Sequence, residues 1–330
     1  MIRKFIIAIM LSASASIQAQ TVSLEEGAAD SSRQVVPEVH WLQMVQENRQ
    51  RSFDTDLPGG NFSGITQIGE NLYAVVDDKK NEDGFYVFNL KFNKKGDISS
   101  AYSLGYRDSG LLNRDVEDIV YVPSTNTVFT SGEKHNNVLE YTIDGNPTSR
   151  ELQVPEIFKN CQSNRGLEAL AYNANTHFFW TTSENLLKGD SILRLQSFGE
   201  DLLPREQYTY QMDPATKVEY GQHLQGVSAM AALDDGSLLV LEREVFMPSE
   251  KIGSWCNCKI YQIVPGNAEK HLIHEWRTTL TLFNHEFANY EGMCLGPKLD
   301  DGTQVLVLLA DSQNRYWGFL SDWFKTLLLR

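Results

Sequence analysis

Gly226-Val-Ser-Ala-Met-Ala-Ala232, the turn Asp234-Asp-Gly236 and Leu238-Leu-Val-Leu-Glu-Arg-Glu244 together read as one β-hairpin. Apolar residues flank an Asp-Gly turn on both sides, and the second run ends in charge. The same layout occurs four more times. Phe62-Ser-Gly-Ile-Thr-Gln-Ile68 turns at Gly69-Glu-Asn71 into Leu72-Tyr-Ala-Val-Val76 and ends on Asp77 and Asp78. Val116-Glu-Asp-Ile-Val-Tyr-Val122 turns at Ser124-Thr-Asn126 into Val128-Phe-Thr-Ser131 and ends on Glu133. Gly166-Leu-Glu-Ala-Leu-Ala-Tyr172 turns at Asn173-Ala-Asn175 into His177-Phe-Phe-Trp-Thr-Thr182 and ends on Glu184. Tyr290-Glu-Gly-Met-Cys-Leu295 turns at Asp300-Asp-Gly302 into Val305-Leu-Val-Leu-Leu-Ala310 and ends on Asp311.

Two further strand-like runs follow the middle hairpins: 138–143 and 150–154, 192–196 and 207–211, 259–264 and 271–276. Four strands recurring every ~50–65 residues, with weak helix signals between, predict an all-β chain folded as a β-propeller. The direct count is five four-stranded blades. A sixth, irregular blade is the alternative if residues 30–60 combine with the last strands. A strand around 39–45 has no partner in its own neighbourhood. It is expected to complete the last blade and close the ring, leaving no free edge.

The flanks and the composition set the compartment and the partners. Arg3 and Lys4 precede an apolar run from Phe5 to about Ala15, and small residues lead to Ala19. This is the layout of a signal peptide over 1–19, followed by a flexible segment over 20–36 and a single propeller domain over 37–330. The apolar run is short for a membrane span, and no cysteine follows it to carry a lipid, so the product is expected in a periplasm or secreted. The full chain of 330 residues carries a net charge of −14. Without residues 1–19 it has 27 basic against 43 acidic residues, a net of −16. Such a chain repels phosphate backbones, which excludes a nucleic-acid partner. Four cysteines, Cys161, Cys256, Cys258 and Cys294, are too few for a disulfide scaffold. Cys161 is the candidate partner for Cys256 or Cys258, and Cys294 sits in an apolar run as a buried thiol. The insert 245–258 is expected to overhang the channel.

In a propeller the first strand of each blade lines the channel and the second runs antiparallel beside it. The start of the first and the end of the second therefore share a face. The conspicuous acids fall at those two places. Glu117, Asp118, Glu168 and Glu291 stand at starts; Asp77, Asp78, Glu133, Glu184, Glu242, Glu244 and Asp311 stand at ends. Like charges this close require an offset: a cation, shared protons or basic neighbours such as Lys79, Lys134, His135, Arg165 and Arg243. One reading is a hard-cation site for calcium, with Asp77, Glu117, Glu133, Glu168, Glu184, Glu242, Glu291 and Asp311 as candidate ligands. The other is that these residues cap strands and form ordinary ion pairs. No nucleophile elbow, zinc-protease helix motif or nucleotide-binding glycine loop is present.

Asn164-Arg-Gly-Leu-Glu-Ala-Leu-Ala171, residues 227–243 and Asn289-Tyr-Glu-Gly-Met-Cys-Leu-Gly-Pro297 resemble the phytase-like propeller family, labelled "esterase-like activity of phytase". Leu309-Ala-Asp-Ser-Gln-Asn314 fits it too, and the resemblance spans about residues 60–330. Exported propellers of the SdiA-regulated type carry a similar Asn-Arg-Gly-Leu-Glu segment and are the rival. The resemblance implies phosphoester or ester hydrolysis, with calcium ions bridged by carboxylates to hold phosphate and activate water. On that pattern Glu168, Glu184, Glu242 and Asp311 hold metal, the first three being the catalytic carboxylates. Lys79, Arg165, Arg243 and His135 hold a small anionic, phosphorylated substrate. Two other classes remain open. One is a propeller that binds a ligand or protein without catalysis. The other is a lactonase-like metal hydrolase, which would offer neutral contacts such as Asn61, Asn164 and Asn289.

Overall fold

The structure, a computed structural model, describes residues 39–330; the proposed signal peptide and the whole of the flexible segment lie outside the described residues. The chain enters through two short strands, β1 (Met44–Glu47) and β2 (Arg51–Ser52). Blade one is β3 (Phe62–Gly69), β4 (Leu72–Asp77), β5 (Glu82–Phe92) and β6 (Ile98–Leu112). Blade two is β7 (Val116–Val122), β8 (Thr127–Gly132), β9 (Asn137–Thr142) and β10 (Pro147–Leu152). Blade three is β11 (Leu167–Asn173), β12 (Phe178–Ser183), β13 (Leu193–Phe198) and β14 (Pro204–Tyr210). Blade four is β15 (Gln222–Ala232), β16 (Leu238–Met247), β17 (Trp255–Ile263) and β18 (Lys270–Thr279). Blade five is β19 (Asn289–Lys298), β20 (Gln304–Asp311) and β21 (Trp323–Leu329), with β1 as its outer strand and β2 also pairing with β21.

The fold is thus a five-bladed propeller, every blade an antiparallel sheet. The innermost strands β3, β7, β11, β15 and β19 touch in sequence, and β19 returns to β3. The ring is closed by the N-terminal strand, as expected, although that strand starts later than the sequence suggested, at Met44. Asn71, Asn126, Gly236 and Gly302 take positive φ in the turns between first and second strands, the conformation those turns require. Blades stack face to face, so central strands are covered on both sides. β8 and β20 are buried at every position, and in β20 this shows in the sequence as the unbroken apolar run 305–310.

Two readings of blade four need correction. Half of the expected insert 245–258 is strand: β16 runs on to Met247 and β17 begins at Trp255. Only 248–254 form a connection, because the apolar alternation continues past the point where the other blades turn. Cys161 packs between blades two and three, whereas Cys256 and Cys258 lie in the core between blades four and five. All four cysteines are free and buried. Among the described residues no helix is long and apolar enough to cross a membrane.

Candidate functional site

The strand register decides which acids meet. The pairs Phe62–Asp77, Val116–Gly132, Leu167–Ser183, Val227–Glu242 and Tyr290–Ala310 occupy equivalent places in the five blades. Immediately after each pair the inner strand loses register. A bulge of this kind bends the strand and re-aims one side chain. The re-aimed residues are Ser63, Glu117, Glu168, Ser228 and Glu291. The matching positions, one residue past the partners on the second strands, are Asp78, Glu133, Glu184, Arg243 and Asp311. Two tiers of five result, and all but the two serines line a cavity of about 690 Å³ at one mouth of the channel.

Asp77 and Glu242 therefore stand one residue out of register with the channel, and consecutive strand residues point to opposite faces. Asp77 is buried, and its carboxylate accepts from the Lys79 amide at 3.1 Å. Glu242 accepts hydrogen bonds from Tyr210 Oη at 2.6 Å, Lys270 Nζ at 2.7 Å and the Asp213 amide at 3.1 Å. Asp213 in turn pairs with Lys259 and Lys270. Glu244 accepts from the Thr216 hydroxyl and amide and contacts His223 Nε2 at 2.7 Å. These networks strap the segment before β15 onto blade four. His135 is exposed in the turn after Glu133 and is not part of the cavity lining. Asp118 accepts amide bonds from Leu170 at 2.7 Å and Ile119 at 2.8 Å, tying blade two to blade three.

Inside the cavity the charges divide. On one side Arg243 is buried and pairs with Glu184 at 3.1 Å, Glu168 at 3.4 Å and Glu291, and it donates to Asn289 at 2.7 Å. It takes the place that is acidic in the other four blades. Arg165 adds a pair to Glu184 at 3.4 Å. Burial, and then the charges of Glu117 and Glu184, hold the Glu168 carboxyl well above the usual range despite Arg243. Gly166, just before β11, and Gly226, within β15, stand where a Cβ would lie 2.6 Å from the Cγ of Glu133 and of Glu184 respectively. Small residues at these two positions let each blade's inner strand pass the preceding blade's acid.

The other side lacks such a partner. Asp78, Asp115 and Glu117 each present an oxygen within 4.8 Å of the others. Lys79 caps the outer edge, pairing with Asp78 and with Asp115 at 3.0 Å, but more than half of its side chain is in solvent. Glu117 is 9% exposed and makes no hydrogen bond or ion pair among the described residues. Asp78 Oδ1 is buried without a partner. Burial first, then Asp78, Glu291 and Glu133, push the Glu117 carboxyl well above its usual value. A hard divalent cation fits this set: every donor is a carboxylate oxygen, and two of the three residues have unspent acceptor capacity.

Of the expected substrate contacts, Lys79, Arg165 and Arg243 line the cavity, and all three are already ion-paired. Asn164 and Asn289 line it as well; Asn61 does not. Sequence reading missed Asp115, which precedes its strand in a left-handed conformation with φ 59°. Its signal was the acidic residue two before Glu117. Lys251 was missed because its connection was read as part of a longer insert.

The family described as "Phytase-like: Esterase-like activity of phytase" matches residues 58–313. No curated protein matches the chain. Among solved structures, an endo-arabinase from Bacteroides thetaiotaomicron is 13% identical, with 83% of this chain and 96% of that one covered and a TM-score of 0.46. A periplasmic gluconolactonase from Pseudomonas aeruginosa is 14% identical, with 79% and 69% covered and a TM-score of 0.35. A streptogramin B lyase is 13% identical, with 86% and 98% covered and a TM-score of 0.40. Likenesses at this level say nothing about chemistry.

Proposed function

The chain belongs to the phytase-like family, and from that premise we propose that it hydrolyses a phosphate ester with the help of calcium held at the acidic mouth of the propeller. The observation that carries this reading is the unpartnered Glu117 beside Asp78 and Asp115. Arg243 already offsets Glu168, Glu184 and Glu291, and among the described residues Asp78, Asp115 and Glu117 are the set of acids whose oxygens lie close enough to share a cation. Asp78, Asp115 and Glu117 would hold it. Bound there, calcium would draw charge from a phosphoryl oxygen and acidify a bound water.

The remaining roles fall to the chain's own side chains. Lys79 and Arg165, partly exposed on the cavity wall, are placed to meet phosphate oxygens. Glu168 keeps its proton to a higher pH than an ordinary glutamate, which suits a general acid. Water adds to phosphorus, the bond from phosphorus to the alcohol oxygen breaks, Glu168 gives that oxygen its proton, and the proton released by the attacking water passes through solvent to restore Glu168. Glu133 accepts the Gly166 amide at 2.7 Å and is held as a fixed wall of the site. Glu242 lies outside this scheme. An exported location remains part of the proposal and rests on residues 1–19 alone.

The test is turnover by purified protein across phosphomonoesters, phytate included, with calcium and with chelator. Calcium-dependent release of phosphate is expected. Glu117→Gln and Asp78→Asn should each lower kcat/KM by about 100-fold, the scale of losing one charge-stabilising group. No metal-dependent turnover on any ester would overturn the reading.

A further inference from the structure

Resting on that reading, we infer that the substrate is a singly phosphorylated ester with an apolar arm, and that blades four and five supply a built subsite for the arm. The cavity is two-sided. Its acidic tiers face a wall of Leu224, Val245, Met247, Leu280, Phe287 and Leu320. The wall comes from identifiable extensions of the repeat. β15 and β16 pair beyond Gly226–Arg243 through Leu224–Val245 and Gln222–Met247, which raises three apolar side chains above the ring. Leu280 and Phe287 come from the connection between β18 and β19, and Leu320 from the one between β20 and β21. Most of these residues belong to the core between blades four and five, so the wall is the open top of a packed core. The apolar surface continues outward on the same connections, where Phe283 and Trp317 are 98% and 89% exposed.

Charge argues the same way. With Glu168 protonated as the proposed acid, the lining holds six charged carboxylates against four cations, Lys79, Arg165, Arg243 and Lys251, a net of −2. One divalent cation brings this to neutral and leaves carboxylates facing any further phosphate. Such a cavity accepts one phosphate at the cation and repels a ligand carrying many. An inositol polyphosphate would set further phosphates against either carboxylates or a mainly apolar wall edged by Gln222, Lys251 and Ser254. An alkyl or aryl arm would instead displace water from that wall.

The experiment is calorimetric titration of the protein, with calcium present, by ethyl phosphate, octyl phosphate and inositol hexakisphosphate, alongside hydrolysis of matched phosphomonoesters. Octyl phosphate is expected to bind at least about 30-fold tighter than ethyl phosphate, a small part of what six buried methylenes can supply. It should also bind more tightly than the hexakisphosphate. Leu224→Ser and Met247→Gln, both at partly exposed positions, should erase most of the octyl advantage and leave ethyl phosphate unchanged. Equal binding of the two alkyl phosphates, or variants that weaken both alike, would overturn the subsite. Turnover without an octyl preference defeats this inference and leaves the hydrolase reading standing. An octyl preference without turnover does the reverse.

Discussion

Glu117 is the residue where the molecule is most unbalanced. Its carboxyl is buried, faces other carboxylates and has no partner among the described residues. With its folded pKa raised, Glu117 favours the fold below the ordinary value near 4.5 and loses that contribution as pH rises through the raised value. Glu117→Gln should therefore stabilise the calcium-free protein at neutral pH by about 1 kcal/mol, and the gap should close on acidification. The same substitution should remove most of the calcium-dependent rise in Tm, because metal bound only to the native state stabilises by mass action. Denaturation with and without calcium at pH 5 and pH 7 measures both signs; a variant that gains as much from calcium as the parent would exclude Glu117 as a ligand. The sequence reveals that acids gather at strand ends. It does not reveal which of two neighbours faces the channel. In Asp77-Asp78 and Glu242-Arg243-Glu244, consecutive charged residues carry no apolar marker to set the alternation, so one residue decides between a cavity and a strap. Asp78 and Arg243 are the residues that the register selects.

At the level of the strand, the recurrent bulge was invisible beforehand. It adds no turn residue, and the polar residue it carries in each strand reads as ordinary alternation. It appears in all five inner strands at the point where a side chain joins the ring. The hairpins themselves were legible because turn chemistry and apolar runs recur together. The strap before β15 carries its own prediction. Burial works against the charge on Asp213, but hydrogen bonds from Lys259, Lys270 and Tyr261 outweigh it and hold its pKa well below the usual range. A carboxylate lowered in the fold contributes stability above its ordinary value near 3.8 and loses it as pH falls through the lowered one. Asp213→Asn should cost about 2 kcal/mol at neutral pH, allowing for partial exposure of the pair. The penalty should hold down to about pH 4 and shrink below it. Urea denaturation at pH 7 and pH 3 checks this; an equal penalty at both would show that packing, not charge, holds the strap.

Across the whole ring, five blades follow from five repeats, and the seam follows from one orphan strand. What the sequence left open was how that strand is held. Gln262 of blade four donates to the His40 carbonyl at 3.0 Å and accepts the Leu42 amide at 2.8 Å. It fixes the approach to β1 from the neighbouring blade. Gln262→Ala should cost about 1–2 kcal/mol for a buried network left unpaired. Amide protons of residues 40–47 should exchange faster, while those of blade three keep their protection. Uniform loss of protection around the ring would instead show that the seam and the blades unfold as one unit. The seam has a further property. Gln43 and Arg330 exchange both backbone hydrogen bonds, at 2.8 and 3.0 Å, and β21 runs antiparallel into the place where β1 begins. The last blade is a hairpin whose turn has been left out. A short Asn-Gly link from Arg330 to Gln43 would supply it, and the chain could then be opened at the solvent-facing turn 234–236. The order of the blades along the chain is in this sense a free choice.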